Sequence, residues 1–118
     1  MYKWQKAYID EIKDCNGNTK DREKQMLADY EEKGFCEIEM WCLATATAKF
    51  ALPRLKEFKI IVEMNPHNYS ASLDDFDSMI YSFQKIIEGE HLYVNKEESD
   101  KIQKGLNLFS QHLSEMWH

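Results

Sequence analysis

Apolar residues recur along most of the chain at intervals of three and four, the spacing that places them on one side of a helix. Trp4, Tyr8 and Ile12 predict a first helix from about Lys3 to Asp14, broken by Asn16-Gly17-Asn18. A second is predicted from about Asp21 to Lys33, with Met26, Leu27 and Tyr30 facing inward. Asp21 and Glu23 suit its positive N-terminal end, and Gly34 suits its C-terminal cap.

A third element is predicted to begin near Cys36 and run without interruption to Val62 or Met64, where Asn65-Pro66 ends it. Pro53 lies inside it. A proline there removes one backbone hydrogen bond and clashes with the carbonyl four residues back, so it either ends the helix or bends it. The apolar register favours a bend, because Trp41, Ala44, Ala48, Leu52, Leu55 and Val62 form one slowly drifting stripe across it. At about 1.5 Å per residue such a helix spans roughly 40 Å, long for one small domain. Part of it is therefore expected to pack on another subunit.

Ser72, followed by Asp74 and Asp75, marks the start of a fourth helix from about Leu73 to Glu88. Phe76, Met79, Ile80, Phe83, Ile86 and Ile87 give it a strong apolar face, and Gly89 ends it. Asn95 with Glu98 resembles a capping box for a fifth helix, which carries Ile102, Leu106, Phe109, Leu113 and Met116 toward the C-terminus. The fold class expected is all-α: a single-domain helical bundle over residues 1–118, with a long Pro-kinked central helix, in a homo-oligomer.

Composition narrows the partners more than the fold. With 43% apolar and 13% aromatic residues the chain is globular. Its net charge of −6 argues against binding to duplex nucleic acid, where affinity comes mainly from neutralising phosphates. No apolar run approaches the ~18 residues of a membrane span, and the N-terminus lacks a secretory pattern, so a cytoplasmic location is expected. Cys15, Cys36 and Cys42 are odd in number and form no CxxC, which fits reduced thiols.

Charge is not evenly spread. From Lys49 to Lys59 the chain reads Lys-Phe-Ala-Leu-Pro-Arg-Leu-Lys-Glu-Phe-Lys, a net +3, which leaves −9 on the other 107 residues. At about 100° per residue, Trp41, Thr45, Lys49, Leu52, Lys56 and Lys59 fall within roughly 80° of one another on a helix. Ala44, Ala48, Ala51, Leu55 and Phe58 lie to one side as packing positions, and Arg54 points about 140° from Lys49. An aromatic plate, a hydroxyl and spaced cations are the parts a nucleotide needs: a surface for its base and charge-assisted donors for its phosphates. The same residues also read as a solvated lysine face with a core tryptophan, and spacing does not separate the two.

A longer pattern does bear on it. Gly34-Phe35-Cys36-Glu37-Ile38-Glu39-Met40-Trp41, then Ala48-Lys49-Phe50-Ala51-Leu52-Pro53-Arg54-Leu55-Lys56-Glu57-Phe58-Lys59, resembles a widespread family of small phage-encoded helical proteins that carry a tryptophan followed by A-K-F-x-x-P-R-L-K-x-F-K. Met79-Ile80-Tyr81-Ser82-Phe83, Gly105-Leu106-Asn107-Leu108-Phe109 and Trp117 extend the resemblance over most of the chain from Gly34 onward. Thr47 departs from the apolar residue more usual before the motif, and the Met64-to-Ser72 connection departs from a glycine-containing turn. That family in turn resembles anti-CBASS sponges, oligomeric phage proteins that sequester a cyclic nucleotide signal without cleaving it. The resemblance implies a homo-oligomer, tetramer-like, in the host cytoplasm, with a cyclic nucleotide as ligand and no cofactor. It marks Lys49, Arg54 and Lys56 as phosphate-binding candidates and Trp41 as the base-facing one. Thr45 and Lys59 join them from the helical wheel.

Catalytic readings are weaker. Two E-x-x-H spacings, Glu88 to His91 and Glu115 to His118, suggest the carboxylate and histidine ligands of a di-iron bundle, but both fall at helix ends without rigid support. Nothing in the sequence joins His67 or His112 to Cys36 or Cys42 as a nucleophile and base, and no phosphate-loop or zinc-protease motif is present. Asp74, Asp75 and Asp77 read as helix-start chemistry after Ser72 more readily than as a magnesium site. The chain is expected to be no enzyme and to hold no metal. The alternative function is an acidic module that docks on a host protein and inhibits it, motivated by the −9 outside the basic segment.

Overall fold

The computed structural model describes residues 3–7, 20–92 and 94–117, and among these every regular element is helical. Residues 3–7 form α1; α2 is Lys20–Lys33, α3 Glu37–Trp41, α4 Leu43–Met64, α5 Leu73–Ile87 and α6 Lys96–His112. Single 3₁₀ turns follow α4, α5 and α6 at Pro66–Asn68, Glu90–Leu92 and Leu113–Glu115. Tyr8, Ile12, Cys15, the Asn16-Gly17-Asn18 break and His118 lie outside the described residues. The chain divides into two compact units, Met1–Ala46 and Thr47–His118.

In the first unit Met26, Tyr30, Cys36, Ile38 and Ala46 form the core. Leu27, expected inward, is 47% exposed: Met26 and Tyr30 already occupy the buried side of α2 four residues apart. Gly34 stops α2 with a φ of +80°, a conformation that glycine adopts without a Cβ penalty, and its N–H returns to Tyr30 O at 3.0 Å. The Glu39 carboxylate lies inside this unit. It accepts hydrogen bonds from Tyr30 Oη at 2.5 Å, from the Cys36 N–H at 3.1 Å and, through its other oxygen, from Gln5 Nε2 at 3.4 Å. A buried carboxylate is tolerable when its lone pairs are used in this way. Burial, and then the hydrogen bond to Glu39, push the Tyr30 hydroxyl well above its ordinary pKa.

The uninterrupted third element is corrected. Cys42 leaves helical dihedrals (φ −115°, ψ 48°) and separates α3 from α4. Hydrogen bonds flank the break, from Cys42 N–H to Ile38 O and from Ala46 N–H to Cys42 O, both 2.9 Å. Ile38 and Ala46, the buried apolar residues on either side, are eight apart, a spacing that a continuous helix shares. The apolar pattern therefore could not register the break. Pro53 does not end α4, which continues to Met64 and is 22 residues long, or roughly 33 Å rather than 40.

The second unit packs Ala48, Ala51, Leu52, Leu55 and Val62 of α4 against Phe76, Met79, Phe83 and Ile86 of α5, with Leu106 and Phe109 of α6 beside them. Phe58 stacks on Phe76 at 5.9 Å and meets Tyr69 edge-on at 5.3 Å. The N-caps of α5 and α6 fall at Ser72 and Asn95, as expected, and the reciprocal box is formed at α5. Ser72 Oγ accepts from the Asp75 N–H at 3.1 Å while the Asp75 carboxylate accepts from the Ser72 N–H at 3.0 Å. Asn95 Oδ1 accepts from the Glu98 N–H at 2.9 Å. Gly105 lets α6 approach α5 closely: the buried Ser82 hydroxyl donates to Ile102 O, 2.7 Å away, and lies 3.1 Å from Ser78 O. Leu113, predicted as a core position, is 54% exposed because α6 ends at His112 and a 3₁₀ turn changes the register.

Candidate ligand-binding site

The six candidate residues divide between the units. Trp41 and Thr45 belong to the first; Lys49, Arg54, Lys56 and Lys59 belong to the second. Trp41 ends α3 with 63% of its surface exposed, so it is not a core tryptophan. It borders a hollow of about 390 Å³ whose wall also includes Phe35, Met40, Asp29, Glu37 and Lys33. Two carboxylates against one ammonium make that hollow a poor receptor for phosphate. Thr45 is half-buried on the first turn of α4.

Within the second unit the four cations have separate environments. Lys49 is half-buried, and Lys56 is exposed. Lys59 reaches from α4 to α5, where its ammonium lies 2.8 Å from Asp77 Oδ1. That hydrogen bond holds the Lys59 pKa above its usual value. One of the predicted phosphate donors is therefore already satisfied by a carboxylate of the same chain.

Arg54 is placed differently. Its guanidinium lies over the Phe50 ring, 3.9 Å from the centroid, and Nη1 donates to Phe50 O at 2.8 Å. Both contacts come from the preceding helical turn, so α4 alone holds the side chain in place. Arg54 pairs with no carboxylate among the described residues. Four of its five N–H donors remain for another acceptor. Arg54 and Phe50 stand on the wall of a hollow of about 400 Å³ between α4 and α6. Ala51, Leu55 and Phe58 of α4 face Phe109, Leu113 and Met116 from the C-terminal end, with Thr47 the one uncharged polar residue. An apolar, aromatic-lined cleft of this size with a single fixed charge has the usual make-up of a small-ligand site.

Sequence reasoning missed this cleft because its far wall, Phe109, Leu113 and Met116, comes from residues more than fifty positions beyond Lys49. It missed a second cluster for the same reason. His112, 6% exposed, brings Nδ1 within 3.3 Å of Ser70 Oγ and 3.1 Å of Glu115 Oε2, while Nε2 faces Asp75 Oδ2 at 3.8 Å. Ser70 Oγ donates to Glu115 Oε2 at 2.5 Å. The serine proton is thus directed at a carboxylate and not at the imidazole, so the arrangement holds an anion in place rather than activating a nucleophile. The Ser70 hydrogen bond, then that of His112, holds the Glu115 carboxyl below its usual pKa.

Among the described residues no group of three or more His, Cys, Asp and Glu is placed to hold a metal ion, and no helix is long and apolar enough to cross a membrane. Cys36 is buried, Cys42 is exposed, and both are free thiols. No protein-family model, curated protein or solved structure matches the chain.

Proposed function

We propose that this protein binds and sequesters a small anionic nucleotide, in the manner of a phage-encoded sponge for a cyclic nucleotide signal, without catalysis. The observation that carries the reading is Arg54: a guanidinium fixed over Phe50, free of carboxylates, at the edge of an apolar aromatic cleft of about 400 Å³. The cleft suits a planar base, and the remaining Arg54 donors suit a phosphate. The ligand class comes from the resemblance of the Ala48–Lys59 motif to a family of small phage-encoded helical proteins, which in turn resembles nucleotide sponges. In this proposal Arg54 is the principal phosphate contact. Lys49 and Lys56 supply field and secondary contacts, and Lys59 serves chiefly to join α4 to α5. Trp41 and Thr45 contribute in a homo-oligomer, where a bend at Pro53 and the exposed apolar residues of the first unit bring copies together.

The test is calorimetric titration against a panel of cyclic mono- and dinucleotides, followed by heat denaturation and chromatography of the released ligand. Saturable binding with intact ligand recovered supports a sponge; cleaved ligand, or no binding across the panel, overturns it. A second reading, docking on a host protein, rests on Phe35, Met40, Trp41 and Leu43. These neighbours in sequence are 40–64% exposed on the first unit, an unusual run of large apolar surface. Capture of one host protein at fixed stoichiometry, lost in Trp41→Ser and Leu43→Ser, favours that reading.

A further inference from the structure

The second unit carries another hollow, of about 510 Å³, which the nucleotide reading does not use. Asn68, Tyr69 and Ser70 line it from the segment between α4 and α5, and Ser114, Glu115 and Trp117 line it from the C-terminal end. We propose that this hollow is a binding site for an organic cation, an alkylammonium or guanidinium group.

The case rests on three features. First, Glu115 is the only side-chain carboxylate on the wall among the described residues, and its position is set. Oε2 is held by Ser70 and His112, while Oε1 has no partner among the described residues and is left for a ligand. Behind it, Asp75 faces the far nitrogen of His112, so the imidazole is flanked by acids on both sides and its charge, when present, is already answered. Second, two aromatic residues line the hollow with Glu115. Trp117 is 77% exposed, and its carbonyl, not its indole, accepts the hydrogen bond from Tyr69 Oη at 3.3 Å. The indole is therefore spared for a ligand. The faces of such rings carry negative potential and attract cations. Third, no lysine or arginine among the described residues lines the hollow, which disfavours an anion, whereas the neutral groups of Asn68 and Ser114 can accept the remaining N–H donors of a cation.

Free polyamines and the lysine or arginine side chains of a protein share this chemistry. The experiment is an NMR titration of the full chain at low ionic strength with agmatine, with spermidine, with N-acetyl-arginine amide and with neutral 1,4-butanediol. Saturable shifts of the Trp117 indole N–H and of the Ser70 and Glu115 amides are expected with the cations and not with the diol. Tighter binding of agmatine or spermidine assigns the site to a free amine; tighter binding of blocked arginine assigns it to a protein side chain. Glu115→Gln is expected to weaken binding at least tenfold. Trp117→Ala, which keeps every described Glu115 hydrogen bond, is expected to weaken it about threefold or more with an unchanged melting temperature. Shifts reproduced by sodium chloride at equal ionic strength, or equal affinity in Trp117→Ala, overturn the proposal even where Glu115→Gln fails to fold.

Discussion

Replacing Gly105 with alanine is expected to destabilise the second unit although it places a better helix former inside a helix. On an open helix face the change would stabilise by about 1 kcal/mol, the difference in intrinsic propensity. Here the added methyl group has no space. A Cβ at Gly105 would lie 2.8 Å from Ser82 Cβ and well inside contact distance of Ser82 Oγ and the Ser78 carbonyl. The hydroxyl can rotate, but only by giving up its hydrogen bond to Ile102 O, which leaves a buried group unpaired at a cost of about 1–3 kcal/mol. The Ser78 carbonyl is backbone and cannot rotate, so α6 must move away from α5, which costs about 1–3 kcal/mol of overpacking strain. Set against the propensity gain, the net loss is about 1–5 kcal/mol, centred near 3. For a chain of this length a loss of about 3 kcal/mol is a fall in melting temperature of roughly 9–15 °C. Circular dichroism melts of wild type and Gly105→Ala measure it. A melting temperature equal to or above wild type would refute the close α5–α6 approach. Because α6 also leads into one wall of the cleft beside Arg54, the same variant is expected to bind ligand more weakly.

Three further outcomes follow from the two units. Glu39→Ala leaves the Tyr30 hydroxyl and the Cys36 N–H without their acceptor, and is expected to cost about 2–4 kcal/mol, read as loss of hydrogen-exchange protection at Cys36 and its neighbours. Ser70→Ala is expected to reduce stability above the ordinary glutamate pKa of about 4.3 and to have a diminishing effect as pH falls. The sign follows from a folded-state Glu115 pKa that lies below its unfolded value: the associated stability is present above the unfolded value and is lost as pH drops through the folded one. Denaturant melts between neutral and strongly acid pH check this, and a Ser70→Ala deficit that persists unchanged into acid contradicts it. Asp77→Asn is expected to lower stability only slightly, with the difference from wild type shrinking in high salt, because the Lys59–Asp77 pair is partly solvent-accessible.

What could be read from the sequence was local. Ser72 with Asp75 and Asn95 with Glu98 are contacts three residues apart, and Gly34 and Gly89 stand where the backbone needs positive φ, so the ends of α2, α5 and α6 were legible. The inner face of α5 was legible because Phe76, Met79, Phe83 and Ile86 repeat at helical period. The break at Cys42 was not, since Ile38 and Ala46 keep a helical spacing across it. The candidate site suffered most from the same limit. A helical wheel places Lys59 with Lys56 and Trp41, but Asp77 is on another helix, and its pairing with Lys59 is tertiary. The wheel also set Arg54 apart from the other cations, yet Arg54 is the one that stands beside a cleft, because Phe109 and Met116 supply the opposite wall. Ser70, His112 and Glu115 meet across more than forty residues of chain, beyond any spacing motif.

In the proposed function a cyclic nucleotide sits in the cleft between Phe50 and Phe109, with Arg54 on its phosphate. Chemical-shift mapping with the tightest-binding member of a cyclic-nucleotide panel tests it most directly. The largest changes are expected on Ala51, Leu55, Phe109 and Leu113 and on the Arg54 side chain, and Arg54→Glu, still helical, is expected to show none of them. Changes centred on the hollow beside Trp41, or a full response retained in Arg54→Glu, contradict it.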